Sequence, residues 1–434
     1  MKIQSTLPPT AAPVSLRGLL AGCAALLSTD SCRSRLEREV RDEYGLDHVF
    51  LVSSGKAALA LILSGLRKLS PRRKVLMPAY TCYSVPSAVV KAGLDVALCD
   101  VNPATLDLDH EQLTRLLDDQ TLCVLPTHLF GLPADVEQVR SLCRPRGISV
   151  VEDAAQAMGG MRRGQRLGTI GDVGFFSLGR GKNLSSGGGG VIVTGSATLA
   201  AAIRESYDQL SRESRWTAAG NLVELAATEV LIRPPFYWLP AGLPFLGLGE
   251  TRFYRDFPVA RMAEARAGTL AGWRQRLAAA NRTRCEQAQA LIQDLSVLVP
   301  EVQVVTAPEA CYLRLPILVR DSTAKSTLCA RAASLGLGIS AAYPGTIQQI
   351  PELQDRLDRR EYPGAREVVA RLVTLPTHRF VTQADRARIC EVLREASAGG
   401  RAVECGASGL RSSAVARGSS RSESALASSP RSHH

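Results

Sequence analysis

Ile148-Ser-Val-Val-Glu152-Asp153-Ala-Ala-Gln156, followed by Gly171-Asp-Val-Gly-Phe-Phe-Ser177-Leu-Gly-Arg-Gly-Lys182-Asn183-Leu184, decides how this chain of 434 residues is read. The first stretch is a short β-rich apolar run that ends on two acids. It reads as a buried strand, and a carboxylate buried at its end needs a cationic or hydrogen-bonded partner. The second stretch sets one lysine among glycines shortly downstream.

Working upstream, the same strand-then-helix alternation repeats from residue 49. It runs Val49–Ser53 then Ala57–Lys68, Lys74–Pro78 then Ser84–Ala92, Val96–Cys99 then His110–Leu117, and Thr121–Pro126 then Ala134–Cys143. Units of this length predict an α/β fold, a large, mostly parallel sheet covered on both faces by helices. Ligands of such sheets sit beyond the carboxyl ends of the strands, where Ser53-Ser54-Gly55, Pro78-Ala79-Tyr80, His128 and Asp153 share one rim. Downstream, Gly187 to Gly190 reads as a turn into a strand Val191–Thr194, and one long helix is expected from about Ala260 to Leu298. Val302–Val319, Leu335–Ser340 and a final helix Gln383–Ala396 read as a smaller C-terminal α+β domain. The expected layout is an N-terminal segment 1–30, a large domain 31–260, a linking helix with the small domain 261–398, and a tail 399–434. The two-domain layout puts a cleft between them.

The formal charge of +11 invites a nucleic-acid reading, but the arginines are spread out and lack aromatic interleaving. The tail from Arg401 carries five Arg against two Glu among Ser, Ala and Gly, and reads as a disordered extension. The rest is mildly basic, which suits anionic small substrates and gives no nucleic-acid partner. Eleven cysteines without metal-ligand spacing read as reduced thiols, and no secretory signal is recognisable, so a cytoplasmic protein is expected. An apolar insert at about 220–255 contains sixteen uncharged residues, Pro234 to Gly249. A membrane span takes about 20 residues and would be broken by Pro240 and Pro244, so a lid, a dimer contact or a peripheral membrane patch is expected.

A nucleotide phosphate loop needs Gly-x4-Gly-Lys-Ser/Thr, but Phe176 and Asn183 occupy two required positions. No Gly-x-Gly-x-x-Gly follows a strand either. A pyridoxal phosphate (PLP) site fits the pair better: Lys182 would form an imine with the cofactor, and Asp153 would keep the pyridine nitrogen protonated. An exposed turn lysine and a helix-capping Asp are the bland alternatives. Gln156 reaches the same ring face or is merely solvated. Ser177 is placed to bind the phosphate, with Ser54 and Gly55 offering a hydroxyl and amides at a helix start, although Ser54 also reads as an ordinary cap.

In this order the parts resemble the DegT/StrS family of PLP-dependent sugar aminotransferases, of fold type I, over roughly residues 30 to 395. The matching stretches are Ser54-Gly-Lys-Ala-Ala-Leu59, Val75-Leu-Met-Pro-Ala-Tyr-Thr-Cys82, Thr127-His-Leu-Phe-Gly-Leu-Pro-Ala-Asp135, Glu152 to Ala157 and Gly171 to Leu184. Arg261-Met262 and Leu375-Pro-Thr-His378 look like later landmarks. The resemblance implies a homodimer, glutamate or a similar amino donor, and a nucleotide-linked keto sugar as acceptor, in glycan or secondary-metabolite synthesis. Lys182 and Asp153 carry over as the catalytic pair, and Gln156, Ser177, Gly55 and Lys56 as cofactor contacts. Relatives that act as sugar dehydratases replace the lysine with histidine, so its retention favours transamination.

The chain also departs from the family pattern. Lys56 stands where a small hydroxyl residue is usual, and Cys82, flanked by Tyr80 and Tyr83, where an aromatic stacks on the ring. Val259 replaces an asparagine that reaches a phosphate across the dimer, and Met158 a frequent histidine. We expect Lys56 to supply as charge what Val259 cannot supply as a hydrogen bond. The alternatives are a PLP-dependent sugar dehydratase or lyase, and a non-catalytic PLP-binding regulatory protein.

Overall fold

A computed structural model describes residues 4–27, 31–243 and 251–398. The strands in chain order are β1 His48–Val52, β2 Lys74–Pro78, β3 Asp95–Cys99, β4 Thr121–Val124, β5 Ser149–Asp153, the hairpin β6 Met161–Arg162 and β7 Gln165–Arg166, β8 Val173–Ser177 and β9 Gly190–Thr194. Apart from the hairpin they form one sheet in the order β1-β9-β8-β5-β4-β2-β3. Only β9 runs against its neighbours, so the carboxyl ends of the other six strands share one rim. The apolar runs are buried on both faces because helices cover both sides. They are α2 Ser31–Tyr44, α3 Gly55–Leu69, α4 Ser84–Lys91, α5 His110–Leu116, α6 Val136–Cys143 and α7 Ala197–Asp208, whereas α1 Leu16–Ala25 packs against later helices. Ser54, in extended conformation, caps α3 by accepting from Ala57 N–H, so the capping reading of this serine holds.

Past the sheet come α8 Arg215–Leu231, α9 Pro234–Ala241, α10 Glu264–Thr269 and α11 Trp273–Leu298. The single helix expected from Ala260 to Leu298 is therefore two. Ser53 N–H donates to Ala260 O and Met262 N–H to Leu51 O, which ties 260–262 in extended form to the end of β1. Gly272, at φ +68°, then turns the chain before α11, a conformation that a side chain would strain.

A second, antiparallel sheet joins β10 Gln303–Val304, β11 Leu315–Leu318 and β12 Leu372–Leu375. Around it lie α12 Ser322–Leu335, α13 Pro363–Arg371 and α14 Gln383–Ala398. Both sheets belong to one compact unit that ends at Ser397. The N-terminal segment, which the sequence left without structure, threads through this unit: Thr6 N–H donates to Pro234 O and Leu7 N–H to Gly336 O. The expected tail 399–434 and residues 244–250 of the apolar insert lie outside the described residues. Among those described, no helix is long and apolar enough to cross a membrane.

Candidate active site

Alternation along β5 sends its last two carboxylates to opposite faces. Glu152, fully buried, turns away from the rim and binds structure. Its Oε1 accepts from His128 Nε2 (2.8 Å) and Gly168 N–H, and its Oε2 from Ile170 and Gly171 N–H (2.8 and 2.9 Å). His128 Nδ1 accepts from Ala134 N–H, so the ring proton sits on Nε2. His128, read as a rim residue, is thus wholly buried and committed to Glu152.

Asp153 stays at the rim, 4% exposed, with its Oδ1 accepting from Ala155 N–H at 3.0 Å. Burial pushes its carboxyl up, and the charge of Lys182 pulls it back. Lys182 sits in the turn between β8 and β9, close enough for reciprocal effects: burial pushes its amine down, and Cys82 and Asp153 raise it. The turn is gripped from α11. Arg284, 1% exposed, donates to Lys182 O (3.3 Å), Asn183 O (3.0 Å) and Ala11 O (3.1 Å). Burial lowers this guanidinium to about 10. One turn earlier, Asn281 accepts from Asn183 Nδ2 and donates to Met158 O, which ties the lysine turn to the segment after β5.

Gly55 and Ser177 meet where α3 begins beside the end of β8. A Cβ on Gly55 would stand 2.8 Å from Ser177 Cβ and 3.0 Å from its Oγ, so only glycine allows this approach. The Gly55 and Lys56 amides belong to the first turn of α3, which has no helical carbonyl to receive them. Together with the Ser177 hydroxyl they form a cradle suited to a phosphate. Two buried hydroxyls nearby in the chain, Thr81 Oγ1 and Thr127 Oγ1, have no partner among the described residues, and Thr127 bridges to Asp153. The residues present therefore fit PLP: an amine and a carboxylate within electrostatic reach of each other, and an anion cradle.

The Lys56 side chain departs from expectation. Its Nζ lies over the rings of Tyr254 (4.6 Å) and Phe257 (4.8 Å), whose faces attract the ammonium, which leaves the backbone amide as its contribution to the cradle. Cys82 Sγ contacts Thr251 Oγ1 at 3.4 Å. Tyr80 is a buried wall, its hydroxyl accepting from Tyr343 N–H. Gln156 is held at both ends: Oε1 accepts from Phe130 N–H (2.8 Å) and Nε2 donates to the Tyr343 hydroxyl (2.7 Å). Tyr343, Arg284, Asn281 and Arg314 reach this region from distant sequence and were not singled out beforehand. Arg314 offered one local signal, a charge inside the apolar run Tyr312–Val319.

A sequence model of the DegT/DnrJ/EryC1/StrS aminotransferase family matches residues 25–232 and 245–394. The chain belongs to this family. Among DegT/DnrJ/EryC1/StrS relatives, it is 35% identical over 170 residues to UDP-N-acetyl-3-dehydro-alpha-D-glucosamine 3-aminotransferase of Acidithiobacillus ferrooxidans, a match covering 39% of this chain and 46% of that one. It is 36% identical over 192 residues to dTDP-3-amino-3,4,6-trideoxy-alpha-D-glucose transaminase of Streptomyces venezuelae, covering 43% and 50%. The matches thus span about half the length of these curated relatives. The fold is also that of the putative sugar aminotransferase Spr1654 from Streptococcus pneumoniae in its PMP-form, with TM-score 0.73 at 16% identity, covering 92% of this chain and 100% of that one.

Proposed function

We propose that this family member is a PLP-dependent aminotransferase that moves an amino group from an amino acid, glutamate or a close analogue, to a keto sugar carried on a nucleotide. The observation that carries the reading is the Lys182 amine within electrostatic reach of the buried Asp153 carboxylate, together with the close approach of Gly55 and Ser177. The pneumococcal neighbour described in its PMP-form supports the cofactor, and the two relatives named for sugar transamination support the acceptor class.

When bound, PLP supplies an electron sink for the pair left at the reacting carbon. The other work belongs to the chain. The Ser177 hydroxyl and the amides of Gly55 and Lys56 would hold the phosphate, and the Asp153 carboxylate would keep the ring nitrogen protonated. Gln156, fixed by Phe130 and Tyr343, is the residue that would contact the ring on its hydroxyl side. Lys182 is the amine that would hold the cofactor, and as a free amine it would serve as the base that takes and returns a proton at the reacting carbon. Burial favours its neutral form, the form a base requires.

Homodimerisation and a cytoplasmic location complete the proposal, the latter supported by ten unpaired cysteines among the described residues. On α9, Phe236 and Leu239 remain exposed, a face for the partner subunit or a lipid surface that flotation with liposomes would separate. The deciding experiment is spectroscopic. Protein supplied with PLP carries a bound chromophore that Lys182→Ala lacks and that L-glutamate discharges. A chromophore that persists in Lys182→Ala removes the lysine assignment. One that no amino acid discharges turns the reading to a dehydratase or a non-catalytic protein.

A further inference from the structure

Residues 4–14, described throughout, form neither helix nor strand, yet Leu7, Thr10, Ala11 and Val14 are buried. A buried irregular segment must find partners for its backbone elsewhere in the fold. Around the second sheet, Gly336 O accepts from Leu7 N–H (2.8 Å), and Pro8 O accepts from His378 Nε2 (2.8 Å). At the start of α9, Pro234 O accepts from Thr6 N–H (2.9 Å). The remaining anchor is the lysine turn. Arg284 Nη2 donates to both Ala11 O (3.1 Å) and Lys182 O (3.3 Å), so one nitrogen joins the backbone of the segment to that of the lysine.

Two glycines let the segment lie this close. Gly181, the residue before the lysine, has φ +75°, and a Cβ there would stand 2.8 Å from Thr10 Cγ2. Gly338, at φ +68°, makes the same allowance at the other anchor, where a Cβ would stand 2.8 Å from Pro8 O. The match to the family model begins at residue 25, so it does not account for this segment. Lys182 is therefore held from both sides: Thr10 packs on Gly181, while Arg284 grips Lys182 O and Asn183 O and is itself shared with Ala11 O. Arg284 is almost wholly buried, and hydrogen bonds kept from water hold more firmly.

We propose that the segment 4–14 is a positioning element of the active site, a strap whose Thr10 and Ala11 fix the backbone on either side of Lys182. The inference rests on the PLP reading, because the strap's task lies at the amine that would hold the cofactor. The test mixes apoprotein with PLP and follows the bound chromophore against pH. Its rate of appearance rises as Lys182 loses its proton, since only the neutral amine is a nucleophile. Cys82, Asp153 and Arg314 also act on this amine, and the variants leave all three in place. Removing residues 2–11 takes away both Thr10 and the Ala11 carbonyl. PLP retention should weaken on the order of 10-fold, the loss expected when a reacting group is no longer held in place. The midpoint of the rate profile should rise by about one pH unit, because an amine that water reaches keeps its proton more readily. A strap that only stabilised the fold would leave that midpoint unmoved.

If the truncated chain does not fold, the contact at Gly181 decides. Gly181→Ala drives a methyl against Thr10 Cγ2 and should weaken PLP retention about 10-fold, and Thr10→Ser, which removes that Cγ2 and keeps the hydroxyl, should restore at least about threefold in the double variant. Losses that simply add in the double variant overturn the proposal, as does a folded truncation that keeps the wild-type midpoint. A wild type that takes up no PLP sinks the cofactor reading, and hydrogen exchange of the apoprotein then decides for the strap alone. Gly181→Ala should speed exchange at the amides of Thr6 and Leu7 and Thr10→Ser should reverse it; exchange equal to wild type in Gly181→Ala overturns the strap as well.

Discussion

Replacing Glu152 with glutamine changes one oxygen to an amide nitrogen and little else in volume, yet the structure makes the exchange costly. Four donors converge on this fully buried carboxylate, two at each oxygen. Whichever way the new amide turns, its NH2 group faces two N–H groups that cannot be reached by water. Turned one way it opposes His128 Nε2 and Gly168; turned the other, Ile170 and Gly171. His128 cannot relieve the conflict by moving its proton, because Nδ1 already accepts from Ala134 N–H. Two buried donors left unpaired at about 1–3 kcal/mol each give a loss of about 2–6 kcal/mol. Against a typical stability of about 5–15 kcal/mol this is a large fraction.

Urea unfolding of Glu152→Gln should therefore show a midpoint well below that of wild type at an unchanged slope. The loop 168–171 leads straight into β8, which carries Ser177 to its meeting with Gly55, so cofactor retention should fall with stability. A Glu152→Gln protein within about 0.5 kcal/mol of wild type would refute the reasoning, since no rearrangement of these four donors satisfies an amide.

Other perturbations give equally definite outcomes. His378 is buried, its Nε2 donating to Pro8 O, and burial lowers it from 6.5 to about 4. Between those values the unfolded chain binds the extra proton, so stability falls as pH drops from 6.5 towards 4, by about 3 kcal/mol in total; His378→Gln should flatten that part of a urea-midpoint profile against pH. Gly55→Ala forces a methyl to within 3 Å of Ser177 and should cost about 1–3 kcal/mol and lower the affinity for PLP, read by chromophore titration. Lys56→Met should leave PLP affinity within about threefold, because the ammonium rests on the Tyr254 and Phe257 rings and its stabilisation is about 0.5–1 kcal/mol. Arg284→Met frees the lysine turn and strips buried carbonyls of their donor, and should cost about 3–5 kcal/mol by urea unfolding.

The parts of this protein that the sequence revealed are those whose physics is local. β2 was legible to the residue, because an apolar run bounded by Arg72-Arg73 and Pro78 can end nowhere else. Asp153 and Lys182 were legible because a strand-end acid and a glycine-framed lysine are each unusual in their immediate surroundings. The break between α10 and α11 was not, since Ala260 to Leu298 is rich in helix formers and the tie of Ala260 and Met262 to β1 spans some two hundred residues. Gly272 was the local sign that could have revealed it. Asn281 and Arg284 were hidden for a related reason: on a charged helix they look like solvated surface, and only the packed lysine turn makes them interior.

Arg314 lies between these cases. Its half-buried position is a tertiary fact, but a charge between Leu313 and Leu315 already conflicts with its neighbours, and such local conflicts gather where function opposes packing. Glu152 shows how the conflict is resolved when it is structural: alternation sends it inward, and four donors from two segments meet it. Asp153 and Arg314 are met by fewer. Asp153 has one backbone donor and the charge of Lys182 within reach, and Arg314 one distant hydroxyl. A fully met buried charge marks where the fold is held, and an incompletely met one marks where the fold leaves room for a ligand.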